Sequence, residues 1–328
     1  VPRIDYTGGG CPHILAEPQR TNLIPFSEDL TEWNKGNLTI SPNAIVSPDG
    51  TQNADTLNVI DDNDFIYEGA TTTASTEYVF SFYVKRGTIA ESSLKLAVYD
   101  DTNNAFIVNS SYSASDSEWT RVTQSFTTPV GCIKIRAYAF RNSSTTLGTF
   151  SVWGAQVEES YATSYIPTSG STVTRNQDIF TRDGIGSLIN STEGVLFVEF
   201  KTLSETGTFR QFNLSKNSDN RIYITKRADS GNLEFRMENP AGTLNFSFAK
   251  NTTNDFVKVA FRYGLNNFAV FIDGVNQNVT PTGNVFASGT LNTLEFDSPL
   301  GQPFFGKVKQ LQVYKTALTD AQLTSLTT

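Results

Sequence analysis

Residues 153–170 read WGAQVEESYATSYIPTSG and divide the chain into two halves with similar patterns. Its first half predicts a β-strand, because Trp153, Ala155 and Val157 alternate with small or polar residues. Its second half runs through Pro167 into a segment of Ser, Thr and Gly, where a packed element is not expected. Short alternating strands and almost no helical periodicity occur on either side. Residues 153–170 therefore mark the junction between two all-β domains.

The composition of the 328-residue chain narrows its class. The length allows two domains, since a domain usually has roughly 100–200 residues. Charged residues make up 18% of a sequence rich in Ser, Thr, Asn and Gly, which is typical of β-rich extracellular proteins. The net charge of −8 argues against nucleic acid as a partner. No apolar run approaches the roughly 20 residues that span a bilayer, which argues against membrane insertion. Because the chain begins at Val1 without a signal peptide, we expect a mature fragment or a piece of a longer chain.

The two cysteines leave two alternatives open. Cys11 and Cys132 could form a disulfide that fastens the N-terminal arm to the first domain in an oxidising compartment. Otherwise both are unpaired small hydrophobic residues. The single histidine is His13 and no C-x-x-C spacing exists, so the sequence argues against a zinc site.

Period-two alternation continues through the first half of the chain and predicts strands at residues 78–85, 94–99, 119–126 and 133–139. No segment between residues 36 and 160 has a sustained helical period. These strands indicate a β-sandwich. The residues predicted to face its core are Tyr78, Phe80, Phe82, Val84, Leu94, Leu96 and Val98.

Distinctive residues occur at both ends of this half. They are Leu15, Glu17, Thr21-Asn22-Leu23, Ser27-Glu28, Trp33, Ser47-Pro48-Asp49-Gly50-Thr51, Ala54-Asp55 and the stretch at residues 153–168. This pattern resembles a jelly-roll module of bacteriophage tail-fibre and other virion proteins and of some bacterial surface proteins. The module is similar to the carbohydrate-binding modules of secreted glycosidases. The resemblance implies a virion setting and, because such fibres are commonly trimeric, a homotrimer.

The second half predicts another series of strands, with a strong hairpin signal at Asp273-Gly274. Near the C-terminus Thr319 is the expected N-cap of a short helix that Leu318 and Leu323 attach to the sheet. The predicted strands are residues 194–203, 209–215, 221–226, 233–238, 244–249, 257–262, 268–272, 293–296 and 307–314. The central hairpin and the ending at residues 305–323 resemble a laminin-G or concanavalin-A-like sandwich.

The fold class predicted from the sequence is all-β, with two antiparallel β-sandwich (jelly-roll) domains in tandem. We expect an irregular N-terminal arm at residues 1–20 with one short strand at residues 14–16, the jelly roll at 21–168, a linker at 169–180 and the laminin-G-like sandwich at 181–328. We further expect Tyr161, Tyr165 and Ile166 to hold the crossover against a domain surface, so that the two sandwiches form a rigid pair.

The outward positions of the first domain predict a binding surface of rings beside cations. Exposed rings stack on sugars, while charged groups bind hydroxyls, and this combination suits an acidic or sulfated glycan. The alternative is that the face packs on the other sheet or on a neighbouring subunit. The predicted ligand-binding residues are Tyr83, Lys85, Lys95, Tyr99, Lys134, Arg136 and Tyr138.

Two carboxylate-rich turns predict a structural calcium ion, because Ca²⁺ prefers several oxygen ligands from loops. The alternative is acidic turns without a metal. No other cofactor is expected. The candidate ligands are Asp61, Asp62, Asp64, Asp100 and Asp101.

A complete catalytic motif is missing from the sequence. Retaining glycosidases need two carboxylates about 5–5.5 Å apart. Glu295 and Asp297 supply half of a glucanase-like pattern, but the last Glu is replaced by Ser, Pro and Leu. A Ser-His-Asp triad is not expected either, because the one histidine, His13, lies in the N-terminal arm. We expect that the chain is not an enzyme.

These observations predict a non-catalytic glycan-binding adhesion protein of a phage virion fibre or appendage that recognises host surface polysaccharide. Its expected partners are cell-surface or extracellular polysaccharide and other fibre subunits. Its expected location is the virion surface, or the extracellular or bacterial surface. Two alternatives stay open: the binding portion of a secreted polysaccharide-degrading enzyme, and a structural virion domain whose rings make subunit contacts.

Overall fold

The computed structural model of the chain describes residues 3–6, 12–141, 147–203, 210–297 and 300–328. Residues 19–176 form one compact unit, here the first sandwich. Residues 177–328, with the described part of residues 1–18, form the second sandwich. The predicted boundaries after residues 20, 168 and 180 stay predictions, but the contacts assign the N-terminal arm to the second sandwich.

All pairings between the described strands are antiparallel, which confirms the all-β fold class. The strands β1 to β25 are, in order, Arg3–Asp5, His13–Ala16, Arg20–Asn22, Asn34–Lys35, Thr39–Ile45, Ala54–Val59, Phe65–Thr71, Glu77–Arg86, Lys95–Asp100, Ala105–Ser111, Thr120–Thr127, Lys134–Arg141, Gly148–Glu159, Val173–Arg175, Thr181–Arg182, Glu193–Thr202, Arg210–Asn217, Asn220–Lys226, Asn232–Asn239, Gly242–Ala249, Val257–Gly264, Ala269–Ile272, Val275–Asn276, Thr293–Glu295 and Gly306–Tyr314. Short 3-10 helices are Leu30–Glu32, Glu91–Ser93 and Gly186–Leu188, and the α-helix α1 is Asp320–Thr327.

The first sandwich has two five-stranded sheets. The front sheet has the order β10-β9-β12-β7-β4, and the back sheet has the order β11-β8-β13-β6-β5. The predicted inward faces of residues 78–85 and 94–99 are confirmed, since all seven side chains lie in the buried core. Phe140 and Phe150 pack there with ring centroids 4.9 Å apart. Period two thus identified the inward residues of these two segments correctly.

A network of hydrogen bonds, here called the clasp, joins residues 22–28 to residues 155–168. Asn22 is fully buried, and its amide donates to the carbonyls of Ala155 and Ile166 at 3.1 and 2.9 Å. Its Oδ1 accepts from the backbone N–H of Ile24 and Val157 at 3.0 and 3.2 Å. One side chain therefore satisfies four backbone groups at the meeting of both ends of the module.

The rest of the clasp uses other residues of the jelly-roll motif. The Tyr165 hydroxyl lies 2.6 Å from Ser27 Oγ and donates to Glu28 Oε1 at 3.0 Å. Glu158 accepts from the backbone N–H of Thr163 at 3.0 Å. The Tyr165 and Trp153 ring centroids are 4.4 Å apart. These motif residues hold the first sandwich together.

The second sandwich pairs a seven-stranded sheet, β1-β2-β25-β16-β21-β22-β23, with a six-stranded sheet, β15-β24-β17-β18-β19-β20. The hairpin turn at Asp273-Gly274 is confirmed, since both residues have positive φ and β22 pairs with β23. Thr319 caps α1 in a capping box with Gln322, as predicted. Leu323 is buried against β16 and β21, with Leu318 beside it. No described helix has both the length and the apolarity to cross a membrane.

The described part of the N-terminal arm contains two strands. Strand β2 includes the short strand predicted at residues 14–16, whereas β1 at Arg3–Asp5 was not predicted. Strands β1 and β2 extend the seven-stranded sheet, and Ile14 pairs with Val308 of β25. Ala16 is buried in the core of the second sandwich. Arg3 bridges Glu17 and Asp178 at 2.8 and 2.7 Å, so Glu17 serves the second sandwich rather than the jelly roll. The apolar side chains of this short segment complete the edge of that core.

Candidate functional site

The structure brings four of the seven predicted ligand-binding residues together and places Lys95 further along the same face of the sheet. Tyr99 of β9 is directly opposite Arg136 of β12, and Lys134 and Tyr138 lie two positions to either side of Arg136. Lys95 is four residues before Tyr99 on β9, outside this paired register. All five occupy outward positions, because the alternate residues of both strands lie in the core.

Tyr83 and Lys85 do not belong to this group, which corrects the prediction of one shared face. Both are on β8, in the back sheet. The Tyr83 ring lies 5.5 Å from that of Trp153, and an added Cβ on Gly154 would lie 3.3 Å from Tyr83 and 3.4 Å from Tyr165. Tyr83 therefore packs beside the clasp.

Five aromatic rings form a continuous group on the outer face of the front sheet, here called the ring platform. Its members are Phe65, Tyr67, Tyr99, Phe106 and Tyr138. Tyr67 and Tyr138 are opposite each other on β7 and β12, with ring centroids 4.7 Å apart. Tyr99 and Phe106 are opposite each other on β9 and β10, at 4.9 Å. The platform therefore spans four adjacent strands.

The members of the platform differ in exposure. Phe106 is 43% exposed, and Phe65, Tyr67 and Tyr99 are half-buried. Tyr138 is only 8% exposed, and burial raises the pKa of its hydroxyl. Tyr138 therefore supports the other rings, while Phe106 presents the most accessible apolar surface.

Arg136 is held at the centre of the platform. Its guanidinium carbon lies 5.2 Å from the Tyr67 ring centroid and 5.5 Å from that of Tyr99. Asp101 forms ion pairs with both Arg136 and Lys134, the latter at 3.4 Å. At the other end, Arg141 lies 4.7 Å over Phe106. These partners fix the direction of the Arg136 donors, which reduces the ordering cost of binding a ligand.

A recess of about 330 Å³ opens beside Arg136. Gly69 of β7 is opposite Arg136 in register, and its missing side chain leaves the space free. An added Cβ on Gly69 would have Lys134 Cε at 3.7 Å as its nearest neighbour, an ordinary contact. The recess is lined by Asn34, Tyr67, Glu68, Gly69, Ala70, Thr71, Asp101, Lys134 and Arg136. This volume is at the lower end of the range for small-molecule sites.

The sequence reasoning missed Phe65, Tyr67, Phe106 and Arg141. The strands that carry the first three were not predicted. A signal was present in β7, where Phe65, Tyr67 and Gly69 alternate with the buried Ile66 and Ala70. Period two would have found this face, but not its neighbours.

The two acidic turns are not assembled into a calcium site. Among the described residues, no group of three or more His, Cys, Asp or Glu side chains is arranged to hold a metal ion. In the first turn the buried Asp64 accepts from the backbone N–H of Ile60 and Asp61 at 2.8 and 2.9 Å, while Asp62 accepts from the Asn63 amide at 2.9 Å. Its acids order the turn through these hydrogen bonds, and the calcium ion stays a prediction.

The second turn works in the same way. Asp100 is fully buried and accepts from the backbone N–H of Thr102 and Asn103, both at 2.9 Å. Burial raises the pKa of this carboxyl, but the hydrogen bonds from Asn103 and Thr102 outweigh it and the pKa is lowered. Cys132 is buried beside Asp100, whereas Cys11 lies outside the described residues, so the disulfide stays a prediction.

Glu295, the first acid of the glucanase-like half-motif, is the last residue of β24, and its carboxylate is hydrogen-bonded. Glu295 accepts from Asn213 Nδ2 at 2.8 Å and from Ser215 Oγ at 3.0 Å. Burial raises the pKa of Glu295. Residues 298–299 of the motif lie outside the described residues.

Comparisons with known proteins find a matching family profile and distant structural likenesses. No curated protein matches the chain significantly. Among solved structures, a carbohydrate-binding module of a Ruminococcus gnavus sialidase, bound to α2,6-sialyllactose, is 14% identical with a TM-score of 0.35, covering 45% of this chain and 98% of that one.

Two further structures span more of the chain. Mouse laminin α1 domains LG4-5 are 13% identical with a TM-score of 0.29, covering 80% and 91%. The CBM22 tandem of Paenibacillus barcinonensis Xyn10C is 11% identical with a TM-score of 0.32, covering 94% and 99%. None of these likenesses is close enough to identify a ligand. Residues 196–324 match the profile of the concanavalin A-like lectin/glucanases superfamily, so the predicted resemblance of the second sandwich to that superfamily is confirmed.

Proposed function

We propose that this chain is a non-catalytic glycan-binding protein and that the ring platform binds the sugar. The observation that carries the proposal is the open outer face of the front sheet, where Phe106 is 43% exposed beside rings and fixed cations. A pyranose has an apolar face of C–H groups and a rim of hydroxyls. It therefore fits a surface that offers aromatic rings together with directed polar groups.

The polar groups of the platform lie where such a rim would meet them. Arg136 is fixed between Tyr67 and Tyr99, so its donors point in a set direction beside two rings. Lys134 is 59% exposed at the mouth of the recess. A sugar stacked on Phe106 or Tyr99 would place its hydroxyls toward these donors.

The setting that we propose is the exterior of a virion or of a bacterial cell, with surface polysaccharide as the partner and other fibre subunits as neighbours. The support for this setting is the jelly-roll motif at both ends of the first sandwich. The motif residues build the clasp, so they bear on the type of module and not on its ligand.

A glycan array probed with the whole chain tests the proposal, followed by titration of the best ligand. Phe106→Ala should weaken binding about tenfold, since a stacked ring contributes roughly 0.5–1.5 kcal/mol beyond its buried area. Tyr6→Ala is the matched control, because Tyr6 is an exposed ring outside the first sandwich, and it should leave affinity unchanged. If no glycan binds, or if both variants bind like the wild type, the proposal is wrong.

A further inference from the structure

The recess beside Arg136 contains opposite charges in equal number. Its cations are Lys134 and Arg136, and its carboxylates are Asp101 and Glu68. The sequence pattern predicted only cations beside the rings of this face and therefore an acidic or sulfated glycan. With all four groups ionised, the lining has no net charge.

Asp101 is the residue that links the cations. It forms ion pairs with Arg136 and Lys134, and its side chain is 15% exposed, compared with 59% for Lys134. It therefore lies deeper than Lys134 and carries its negative charge between the two cations. An anionic group that approached either cation would also approach Asp101.

Gly69 makes this arrangement accessible. It is directly opposite Arg136 on the neighbouring strand, and it leaves the recess open where a larger side chain would close it. A ligand group that enters there meets the donors of Arg136 and Lys134 and the acceptors of Asp101 and Glu68. A hydroxyl suits such a mixture, because it donates one hydrogen bond and accepts others.

We propose that the recess selects a neutral, hydroxyl-rich glycan, and that Asp101 is the specificity residue that rejects glycans with carboxylate or sulfate groups. This inference rests on the proposed function of the ring platform. Rejection works by like charge, because the Asp101 carboxylate repels a nearby anion. A hydroxyl in the same place can instead donate a hydrogen bond to that carboxylate.

The test uses matched pairs of oligosaccharides that share a linkage and differ only at C6, such as cello-oligosaccharides and their C6-oxidised uronates. A third arm carries sulfate at C6. The wild-type chain should bind the neutral member about tenfold more tightly or better than either anionic one. Asp101→Asn keeps the size of the side chain and should reduce that preference about tenfold, with binding of the anionic members becoming salt-sensitive.

Two further variants keep the result interpretable. Gly69→Leu fills the recess and should weaken binding of the neutral member without removing a charge. Asp116→Asn removes an exposed carboxylate of the Arg86 ion pair and should leave the preference unchanged. Tighter wild-type binding of an anionic member overturns this inference while leaving the proposed function intact, as does an unchanged preference in Asp101→Asn. Binding of neither kind of sugar overturns both.

Discussion

Two outward-facing Tyr–Arg pairs of the first sandwich have the same spacing and different surroundings. On the front sheet Arg136 lies 5.5 Å from the Tyr99 ring centroid, and on the back sheet Arg121 lies 5.5 Å from that of Tyr83. Tyr83 packs on Trp153 beside the clasp, whereas Tyr99 lies on the open platform next to Phe106. A ring beside a cation therefore does not make a binding site by itself.

Two further positions on each face show the same difference. Val79 and Ser81 precede Tyr83 on the outward side of β8 and are both buried. Lys134 and Phe106 on the front sheet are exposed. The back face is packed around Val79 and Ser81, whereas the front face is open around Phe106 and Lys134.

The largest expected effect is the loss of stability when the clasp is broken. Asn22→Ala removes a buried amide that satisfies four backbone groups, and it should lower the free energy of unfolding of the first sandwich by about 3 kcal/mol or more. Urea unfolding followed by tryptophan fluorescence measures this directly, because all three tryptophans, Trp33, Trp119 and Trp153, are in the first sandwich.

The control for this variant is Asn37→Ala. Asn37 is exposed and makes one long contact to Asp61 at 3.4 Å, so its loss should change the free energy of unfolding by less than about 0.5 kcal/mol. Equal effects of the two variants would show that the clasp does not hold the sandwich together.

A smaller effect concerns the pH dependence of the clasp. Burial raises the pKa of the Glu158 carboxyl, although hydrogen bonds from Thr163 and Gln156 oppose the shift. The folded state therefore holds this proton more tightly than the unfolded state, and the contribution of Glu158 to stability falls as pH rises through its raised pKa. Relative to Glu158→Gln, the wild type should be more stable at about pH 5 than at about pH 7.

The measurement is the difference in unfolding free energy between the wild type and Glu158→Gln at the two pH values. A constant difference, or one that grows toward neutral pH in favour of the wild type, would mean that burial does not penalise the ionised carboxylate.

Period two predicted much of this fold because it is a local property of the chain. The strand at residues 257–262 was found in this way, and the turn at Asp273-Gly274 was found from its Asp-Gly dipeptide, which is also a local signal. The same property gave the inward side of β8 and β9 but not their sheets. Strand β8 pairs with β11 and β13, whereas β9 pairs with β10 and β12. Sheet membership depends on distant pairings, which is why Tyr83 was placed with Tyr99.

The candidate site shows the same limit. Asp101 belongs to an acidic turn, and from the sequence it was predicted to bind a metal ion rather than to pair with cations of the candidate site. Its partners Lys134 and Arg136 come from a different strand, and only the pairing of β9 with β12 brings them to it. The sequence shows these residues but not which of them line one recess, so the balance of charge there could not be predicted.

The most direct test measures both ligand affinity and the free energy of unfolding in Tyr99→Ala and in Tyr83→Ala. With the best ligand from the array, Tyr99→Ala should weaken binding about tenfold and change the free energy of unfolding by less than about 1 kcal/mol. Tyr83→Ala should leave affinity unchanged and lower the free energy of unfolding by about 2 kcal/mol or more. The account is contradicted if Tyr83→Ala weakens binding as much as Tyr99→Ala does while the first sandwich stays equally stable.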